Sequence, residues 1–534
     1  MKTLVIIIAA GFFASLAAAP VEYLTKIDLG SQGRIYDLAD MEICVIDELE
    51  GSCLAIVSDD EFALLKMHNF PYKVLDNNPR DKSYYIVYPA PWVPISNLEP
   101  YGDILHYDGQ AVIFRMEEKN VIFLNMMQVE LKKIFFEPMV IKRDCYNLAP
   151  PPSSPFIDTL IQKMVNEVSS DTLLSFLYIV TKNFGNRSSS APGCSLSVRW
   201  FYNKLRAYGV DSAYLHNYSA TYAKNAIGIK RGNRYTNWKR YYVICGHIDA
   251  VSAGPGADDN ATGTICALEA ARVFFFFQAE DGIRYIAFTG EEQGLVGSGA
   301  YASNARTQGD SVLGALNFDM IMYQQTNPDT LRLAIGRTRA DTALYNTFKA
   351  AVDTYTTQRT IRQALGFGSS DHASFWNNGF PAFCGIEHHY TSNPHYHTSH
   401  DSVGAPGYSI PFFTSCVRAA IAGLARLAIP IHGTMIEELS MPNVNNPGLR
   451  VYPNPARRNV QFQIANVRGN NASIRIYDIA GKMVKQFNNL TIQPFNQLTW
   501  DFRDDSGKRL SAGVYIIQLK TETDETNTKI VRLE

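Results

Sequence analysis

Apolar and polar positions change their periodicity several times along the chain. Between residues 156 and 430, apolar runs of strand length alternate with longer helical patterns, which is typical of an α/β sheet domain. The runs YYVICGH (Tyr241 to His247), RYIAFTG (Arg284 to Gly290) and LGALNFDM (Leu313 to Met320) are predicted strands. TICALEAARV (Thr264 to Val273) is a predicted helix. We therefore expect an α/β domain over residues 156–430.

Residues 20–146 carry a strand–helix–strand pattern twice, which predicts two similar small α+β units. The predicted strands are CLAIVS (Cys53 to Ser58), YKVL (Tyr72 to Leu75), AVIFRM (Ala111 to Met116) and PMVI (Pro138 to Ile141). Ser58 and Glu61 have the spacing of a capping box at the start of the first helix. The position of these two α+β units before the α/β domain favours the interpretation that they are a propeptide, which would cover a site in that domain.

The last segment, residues 450–534, contains short alternating strands such as SIRIYDI (Ser473 to Ile479) and VYIIQL (Val514 to Leu519). Turn residues separate these strands, so we expect a small β-sandwich. Two linkers complete the predicted organisation. Residues 147–155 are rich in proline and read as a stiff connection, and residues 431–449 lead out of the α/β domain.

The N-terminus has the pattern of a signal peptide over residues 1–19. Lys2 precedes an apolar run from Leu4 to Leu16, and three alanines follow. The run is shorter than the 20 or so residues that a membrane span requires. No other apolar stretch has that length, so we expect no stable membrane span in the mature form.

Charge and cysteine content narrow the classes of partner. The formal net charge is −2 and no tract rich in Lys or Arg stands out, which argues against nucleic acid as a partner. The eight cysteines fit an exported protein without establishing disulfides. Cys44 and Cys53 flank a predicted turn and have the spacing to pair, whereas Cys245 and Cys266 in apolar runs are expected to be buried thiols.

Candidate metal ligands follow the ends of the predicted strands. Because sites in open α/β sheets form at the carboxyl ends of strands, these side chains are expected to converge. The candidates are His247, Asp259, Glu291, Glu292, Asp319 and His397. The mixture of imidazole and carboxylate groups suits zinc, and other first-row metals stay open as alternatives. With the adjacent Glu291 and Glu292 counted as one ligand position, two imidazoles and three carboxylates exceed the needs of one tetrahedral zinc and fit two zinc ions with one bridging carboxylate.

Each motif has an ordinary alternative when it is taken alone. A single histidine after a strand is usually solvated or capped. Glu291 and Glu292 would be two acids favoured by a helix dipole, and the loop GPGADDNATG would be a simple turn. The combination is more specific than any of its parts.

The motifs GHIDA, GPGADDNATG, AFTGEEQGLVGS, NFDM, SSDHASF and YHTSHD together resemble the bacterial double-zinc aminopeptidases of metallopeptidase family twenty-eight. The resemblance implies a three-layer α/β/α fold and two Zn²⁺ per chain. It places His247 and Glu292 on one zinc, Asp319 and His397 on the other, and Asp259 between them.

The same resemblance implies roles for three further residues and a backbone feature. Glu291 would be the general base and later the acid, Asp249 would orient the His247 imidazole, and Tyr396 would help to hold the oxyanion. The family also has a cis peptide bond after its bridging aspartate, which here corresponds to Asp259–Asn260. Peptides are the implied substrates, and the favoured reaction is removal of residues from a free N-terminus.

The C-terminal segment, which opens with VYPNP (Val451 to Pro455) and ends in KIVRLE, resembles the sorting domains of type nine secretion systems. This resemblance implies a protein that is exported through the periplasm, contacts the outer-membrane secretion machinery and is secreted or held at the cell surface. A plain immunoglobulin-like accessory domain is the alternative for this segment.

Other functions remain open on the sequence alone. A carboxypeptidase or a glutaminyl cyclase would use the same fold, and a catalytically dead domain would serve as a surface-binding protein. One segment is also of doubtful origin, because FFFFQAEDGIR (Phe274 to Arg284) looks like a translated sequencing adapter. Since it joins a helix to the start of a strand, we expect it at the end of the sheet away from the site.

Overall fold

The computed structural model describes residues 21–30, 34–141, 158–233, 238–275, 277, 279–327, 329–364, 368–428, 448–452, 456, 459–465, 471–478, 481–491, 497–521 and 525–532. The predicted signal peptide and the Pro-rich linker lie outside these residues, as does most of the second linker. The chain folds as two compact units, Met1–His432 and Gly433–Glu534.

Two N-terminal sheets repeat one topology. The first contains β1 (Glu22–Asp28), α1 (Ile35–Asp40), β2 (Cys44–Leu49), β3 (Ser52–Ser58), α2 (Asp59–Met67) and β4 (Tyr72–Asn77). The second contains β5 (Tyr84–Pro89), β6 (Asp103–Tyr107), β7 (Val112–Arg115), α3 (Val121–Asn125) and β8 (Val129–Lys133). Their antiparallel strand orders, β2-β3-β1-β4 and β6-β7-β5-β8, are equivalent, which is what a duplicated module should give.

Local chemistry explains where these elements begin. Ser58 caps α2, since its backbone N–H and its hydroxyl both donate to the Glu61 carboxylate, at 2.6 and 2.7 Å. The predicted strand over residues 138–141 is wrong, because β8 returns to the sheet earlier. In that segment Met139 and Ile141 instead pack against the core of the first unit.

The two N-terminal sheets share one apolar core. Leu24, Leu54 and Ile56 of the first sheet pack with Ile86 and Ile113 of the second. Cys44 and Cys53 do not pair: both are free thiols, and the strand register places Cys53 opposite Glu48. The two N-terminal α+β units are therefore held together by the shared burial of apolar side chains.

A mixed eight-stranded sheet forms the centre of the α/β domain. Its strands are β9 (Ser212–His216), β10 (Asn225–Lys230), β11 (Arg240–His247), β12 (Gly282–Phe288), β13 (Ser311–Asp319), β14 (Thr330–Ile335), β15 (Arg359–Ala364) and β16 (Ala382–Glu387). The strand order is β15-β14-β16-β13-β11-β12-β10-β9. The four neighbours β16, β13, β11 and β12 are parallel, so their carboxyl ends meet at one edge of the sheet.

Helices cover both faces of this sheet and complete three layers. They are α4 (Thr159–Asn166), α5 (Ser170–Lys182), α6 (Pro192–Ala207), α7 (Gly263–Phe274), α8 (Val296–Thr307), α9 (Arg339–Tyr355), α10 (His372–Asn377) and α11 (Ile410–Ala428). On one face, Val243 and Cys245 of β11 pack with Tyr301 of α8 and Phe375 of α10. On the other face, α7 lies against β11 and β12.

The helix α11 corrects one expectation from the sequence. It is long and apolar enough to cross a membrane, so an apolar stretch of that length does occur in the described part of the chain. However, most of α11 is buried inside the domain, where it packs against α9 and α4. Such burial is ordinary for the core helix of a globular domain.

The doubtful segment Phe274–Arg284 occupies the expected place. Phe274 ends α7 and Gly282 begins β12, so the segment leads into the amino end of that strand. Its residues 276 and 278 lie outside the described part of the chain. The site at the carboxyl edge is thus built from other residues.

The C-terminal unit contains two antiparallel sheets around its own core. Its strands are β17 (Gly448–Tyr452), β18 (Val460–Ala465), β19 (Asn471–Asp478), β20 (Met483–Thr491), β21 (Gln497–Trp500), β22 (Gly513–Thr521) and β23 (Glu525–Arg532). The sheets have the orders β17-β18-β21 and β20-β19-β22-β23. Phe462 and Trp500 of the first sheet pack with Ile474 and Ile517 of the second, as the predicted β-sandwich requires.

Candidate metal centre

The carboxyl edge of the sheet gathers the predicted metal ligands. His247 ends β11 and Asp319 ends β13, which are neighbouring parallel strands. Glu291 and Glu292 follow β12, Asp259 lies in the turn before α7, and His397 lies in the loop after β16. These side chains are all buried although they come from five separate segments.

Two groups of ligand atoms share the carboxylate of Asp259. His247 Nε2 lies 3.4 Å from Asp259 Oδ1 and 3.5 Å from Asp319 Oδ1. His397 Nε2 lies 3.2 Å from Asp259 Oδ2 and 3.3 Å from Glu292 Oε2. Ligand atoms about 2.0–2.1 Å from a tetrahedral zinc are about 3.3 Å from one another. The side chains therefore have the chemistry and the spacing of metal ligands, in two groups on either side of Asp259.

The grouping differs from the one that the family resemblance implied. The expected pairs were His247 with Glu292 and Asp319 with His397. The closest contacts instead join His247 to Asp319 and His397 to Glu292. His247 and Asp319 end adjacent parallel strands although 72 positions separate them in the chain, whereas Glu292 lies four residues beyond the end of β12.

The field of the acids is strong enough to reverse the effect of burial on the imidazoles. Burial alone would lower the pKa of His397, but the charge of Glu292 and the bonds to Asp259 raise that pKa to about 10. The pKa of His247 is likewise raised well above its ordinary value by Glu291 and Asp319, against the effect of burial. A cluster that favours positive charge to this degree is suited to divalent cations.

Neighbouring groups hold two of the carboxylates in place. Asp319 Oδ2 accepts a hydrogen bond of 2.6 Å from the Ser370 hydroxyl. Asp249 Oδ2 accepts bonds from the backbone N–H groups of Gly290, at 3.0 Å, and Glu292, at 3.3 Å. The Asp249 carboxylate thus fixes the turn that carries both glutamates.

Asp249 also lies beside the imidazole that it was predicted to orient. His247 Nδ1 is 3.1 Å from the main-chain oxygen of Asp249 and 3.6 Å from its Oδ1. The nearer acceptor is therefore the backbone carbonyl. Both groups face the ring nitrogen that is directed away from Asp259.

The loop that carries Asp259 is held from two sides. The Asp401 carboxylate accepts the backbone N–H of Asp258 at 2.8 Å and that of Asp259 at 3.1 Å. On the other side, the fully buried guanidinium of Arg187 donates to the carbonyls of Ile248, at 2.8 Å, Gly256, at 3.0 Å, and Pro255. Asp259–Asn260 is a cis peptide bond, as the family pattern predicted.

Glu291 and Tyr396 border the space between the ligands. Glu291 Oε2 is 3.9 Å from His247 Nε2, farther than the carboxylates of Asp259 and Asp319. Tyr396 lines the same small cavity, and its ring stacks on that of His397 with 3.9 Å between centroids. Both side chains therefore lie where a reacting group would approach.

Several residues at the site were not predicted from the sequence. Ser370 and Asp401 lie in the motifs SSDHASF and YHTSHD, which marked the region without marking these side chains. The cavity is also lined by Asn125, Val129 and Glu130 from the N-terminal units. Their segment has no motif of its own, so only the fold brings it to the site.

Profiles of known families match the two parts of the chain. The profile of peptidase family M28 matches residues 225–409, which include the six candidate residues. The profile of secretion system C-terminal sorting domains matches residues 450–532. The chain therefore contains both kinds of domain.

Individual proteins extend this similarity. A probable leucine aminopeptidase of Arthroderma benhamiae is 27% identical over 272 residues, which are 47% of this chain and 70% of that protein. A probable zinc metalloprotease of Pyrenophora teres f. teres is 31% identical over 231 residues, 35% of this chain and 47% of that protein. The LapA aminopeptidase of Legionella pneumophila superposes with a TM-score of 0.53 at 20% identity, over 65% of this chain and 98% of that chain, and shares its fold.

The clamp on the Asp259 loop leads to a prediction about metal affinity. Asp401→Ala removes the acceptor of two backbone N–H groups beside Asp259, so zinc affinity should fall about 10- to 100-fold. Zinc titration against a competing chelator measures this. Tyr408→Phe is the matched control, because Tyr408 donates to Asp401 without touching the loop backbone, and it should have a smaller effect. Equal affinities for a folded Asp401→Ala protein and the parent would contradict the prediction.

Proposed function

We propose that this chain, which contains a peptidase domain of family M28 and a C-terminal secretion sorting domain, removes N-terminal residues from peptides outside the cytoplasm. The geometry that carries the proposal is the pair of ligand groups that share Asp259. We assign His247, Asp259 and Asp319 to one zinc ion and Asp259, Glu292 and His397 to the other. Bound there, the two ions would lower the pKa of a water molecule and polarise the scissile carbonyl.

Glu291 carries out both proton transfers of the proposed hydrolysis, and its neighbours position the reacting groups. Glu291 takes a proton from the attacking water, whose oxygen forms the new bond to the carbonyl carbon. As the C–N bond breaks, Glu291 delivers that proton to the leaving amine. Tyr396 faces the developing oxyanion, and Asp249 fixes the positions of Glu292 and His247. Glu291 is available for this role because closer carboxylates serve the imidazoles.

The charge around the cavity favours an aminopeptidase over a carboxypeptidase. Among the described α/β-domain residues that line this cavity, four are carboxylates and none is Lys or Arg. A free α-amino group would pair with Glu291 and Asp319, whose Oδ2 retains a second lone pair beyond its bond with Ser370. A C-terminal carboxylate would be repelled. A glutaminyl cyclase would not need all five ligands, and bound zinc with turnover would exclude a dead surface-binding protein.

The general base gives the sharpest test of the mechanism. Glu291→Gln keeps the size of the side chain and removes its capacity to take a proton, so kcat should fall about 10²- to 10⁴-fold. Elemental analysis of the same protein should still give two zinc ions per chain, whereas Asp259→Asn should lower occupancy at both positions. Near-normal kcat in Glu291→Gln, or one zinc in the metal-replete parent, would contradict these roles.

The direction of attack is tested by blocking the substrate's amine. Leucine anilide should be cleaved by the active peptidase domain, and N-acetyl-leucine anilide should be a far worse substrate, because acetylation removes the positive charge that pairs with the acids. Steady-state kinetics on the two compounds measures the difference. Comparable kcat/KM values would reject the aminopeptidase assignment and leave the hydrolase assignment intact.

The two ends of the chain give a prediction about export. The sorting domain indicates secretion or attachment at the cell surface, and we propose that residues 1–19 direct the chain through the periplasm first. Sorting domains of the type nine systems that the C-terminal segment resembles are usually removed after export. The secreted protein should then lack residues 1–19 and the C-terminal domain that ends at Glu534. Mass spectrometry of culture supernatant from the producing cells checks both ends, and an intact chain in the cytoplasm would oppose the proposal.

A further inference from the structure

A segment of the second N-terminal unit fills the approach to the metal centre. We call residues 125–131, from the end of α3 into β8, the plug segment. Its Asn125 amide donates to the backbone carbonyl of Glu292 at 2.5 Å, and its Gln128 amide donates to that of Tyr396 at 3.0 Å. Just beyond it, the Lys133 N–H donates to the carbonyl of Gly294 at 3.1 Å. The segment thus binds backbone groups on both sides of the site.

The space that remains beside the ligands is too small for a substrate. The cavity has a volume of about 20 Å³, which is enough for one water molecule. Ligand pockets in proteins are commonly about 300–1,000 Å³. A peptide therefore reaches the candidate catalytic groups only after the plug segment has moved.

Glu130 brings a carboxylate of the N-terminal units to the ligands themselves. It lines the cavity with all five proposed ligands, and it accepts a short hydrogen bond from the Ser369 hydroxyl. Ser369 precedes Ser370, which holds Asp319. A carboxylate is a good oxygen donor toward zinc, so Glu130 has the chemistry to face the metal pair in place of a substrate oxygen.

Contacts away from the site hold the N-terminal units against the α/β domain. Arg337 forms an ion pair with Glu48 and donates to the carbonyl of Leu49 at 3.2 Å. Tyr222 donates to Glu118 at 2.7 Å. A cavity of about 290 Å³ also lies along this interface. An interface that is held by such polar contacts and is incompletely filled is suited to separation, unlike a continuous apolar core.

From these contacts we infer that residues 21–141 are an intramolecular inhibitor of the peptidase domain, and that Glu130 is its anchor at the metal centre. The inference rests on the proposed peptidase function. It gives the N-terminal units a defined partner, the rim of the cleft formed by the carbonyls of Glu292, Gly294 and Tyr396 and the hydroxyl of Ser369. After a cut between residues 147 and 155, the N-terminal units are no longer covalently linked to the peptidase domain. They stay bound to it noncovalently and inhibit it by reversible association.

The test uses the full chain with a specific protease site introduced between residues 147 and 155. After the cut, the metal-loaded protein should be weakly active when concentrated and gain activity on dilution, as the units dissociate. Glu130→Gln removes the negative charge and Glu130→Ala removes the hydrogen bond from Ser369 as well, so the units should bind about 10- to 100-fold more weakly. Size-exclusion chromatography of the cut protein measures this retention without relying on catalysis.

Glu117→Gln is the matched control. Glu117 belongs to the same unit, its side chain is 72% exposed and it pairs with Lys119. This variant should retain the units as the parent does, and thermal unfolding should show that all variants are folded. Equal retention in the Glu130 variants and the control would overturn the role of Glu130.

The two proposals fail in different ways. Full activity of the uncut chain on leucine anilide would contradict the inhibitory role of the N-terminal units and would agree with the proposed peptidase function. No turnover at any dilution, together with Glu130-dependent retention, would reject the proposed function and keep the intramolecular contact. Release of the units after the cut with no change in activity would also reject inhibition.

Discussion

Crowding of negative charge at one edge of the sheet is the constraint on which the rest of the site depends. Asp259, Glu291, Glu292 and Asp319 are buried within reach of two imidazoles, and Asp249 lies directly behind them. Buried carboxylates repel one another strongly unless cations or hydrogen-bond donors offset their charge. The backbone donors of the strand-end loops and the hydroxyl of Ser370 supply part of that compensation, and the metal pair would supply the remainder.

The sequence predicted much of this arrangement because the relevant signals are local. Buried strands such as β11 and β13 are mainly apolar runs, and each ends in an ionisable residue, which is unusual for a purely apolar core. Parallel strands then bring His247 and Asp319 together by a general rule of α/β sheets. The same local logic identified the Ser58–Glu61 capping box and the small β-sandwich.

The errors arose where spatial neighbours are distant in sequence. The division of ligands between the two metal positions depends on where the turn after β12 directs Glu292, because β11 neighbours both β12 and β13. The strand expected at residues 138–141 was wrong because β8, whose sequence VELKK is less apolar, comes first and completes the sheet. The plug segment illustrates the limit most clearly, since Glu130 sits in an ordinary alternating strand and gains its significance only from the loops it meets.

The two-sided clamp on the Asp259 loop bears on how the protein would handle its metals. Asp401 and Arg187 fix the backbone of this loop through contacts made entirely by the chain, so the position of the Asp259 backbone does not depend on a bound ion. Loss of a metal would then leave this loop in place, while the repulsion among the ligand carboxylates would rise. Exchange of zinc for another first-row ion would follow the same course, with the identity of the bound metal set by supply outside the cell and by the Irving–Williams order rather than by refolding around it.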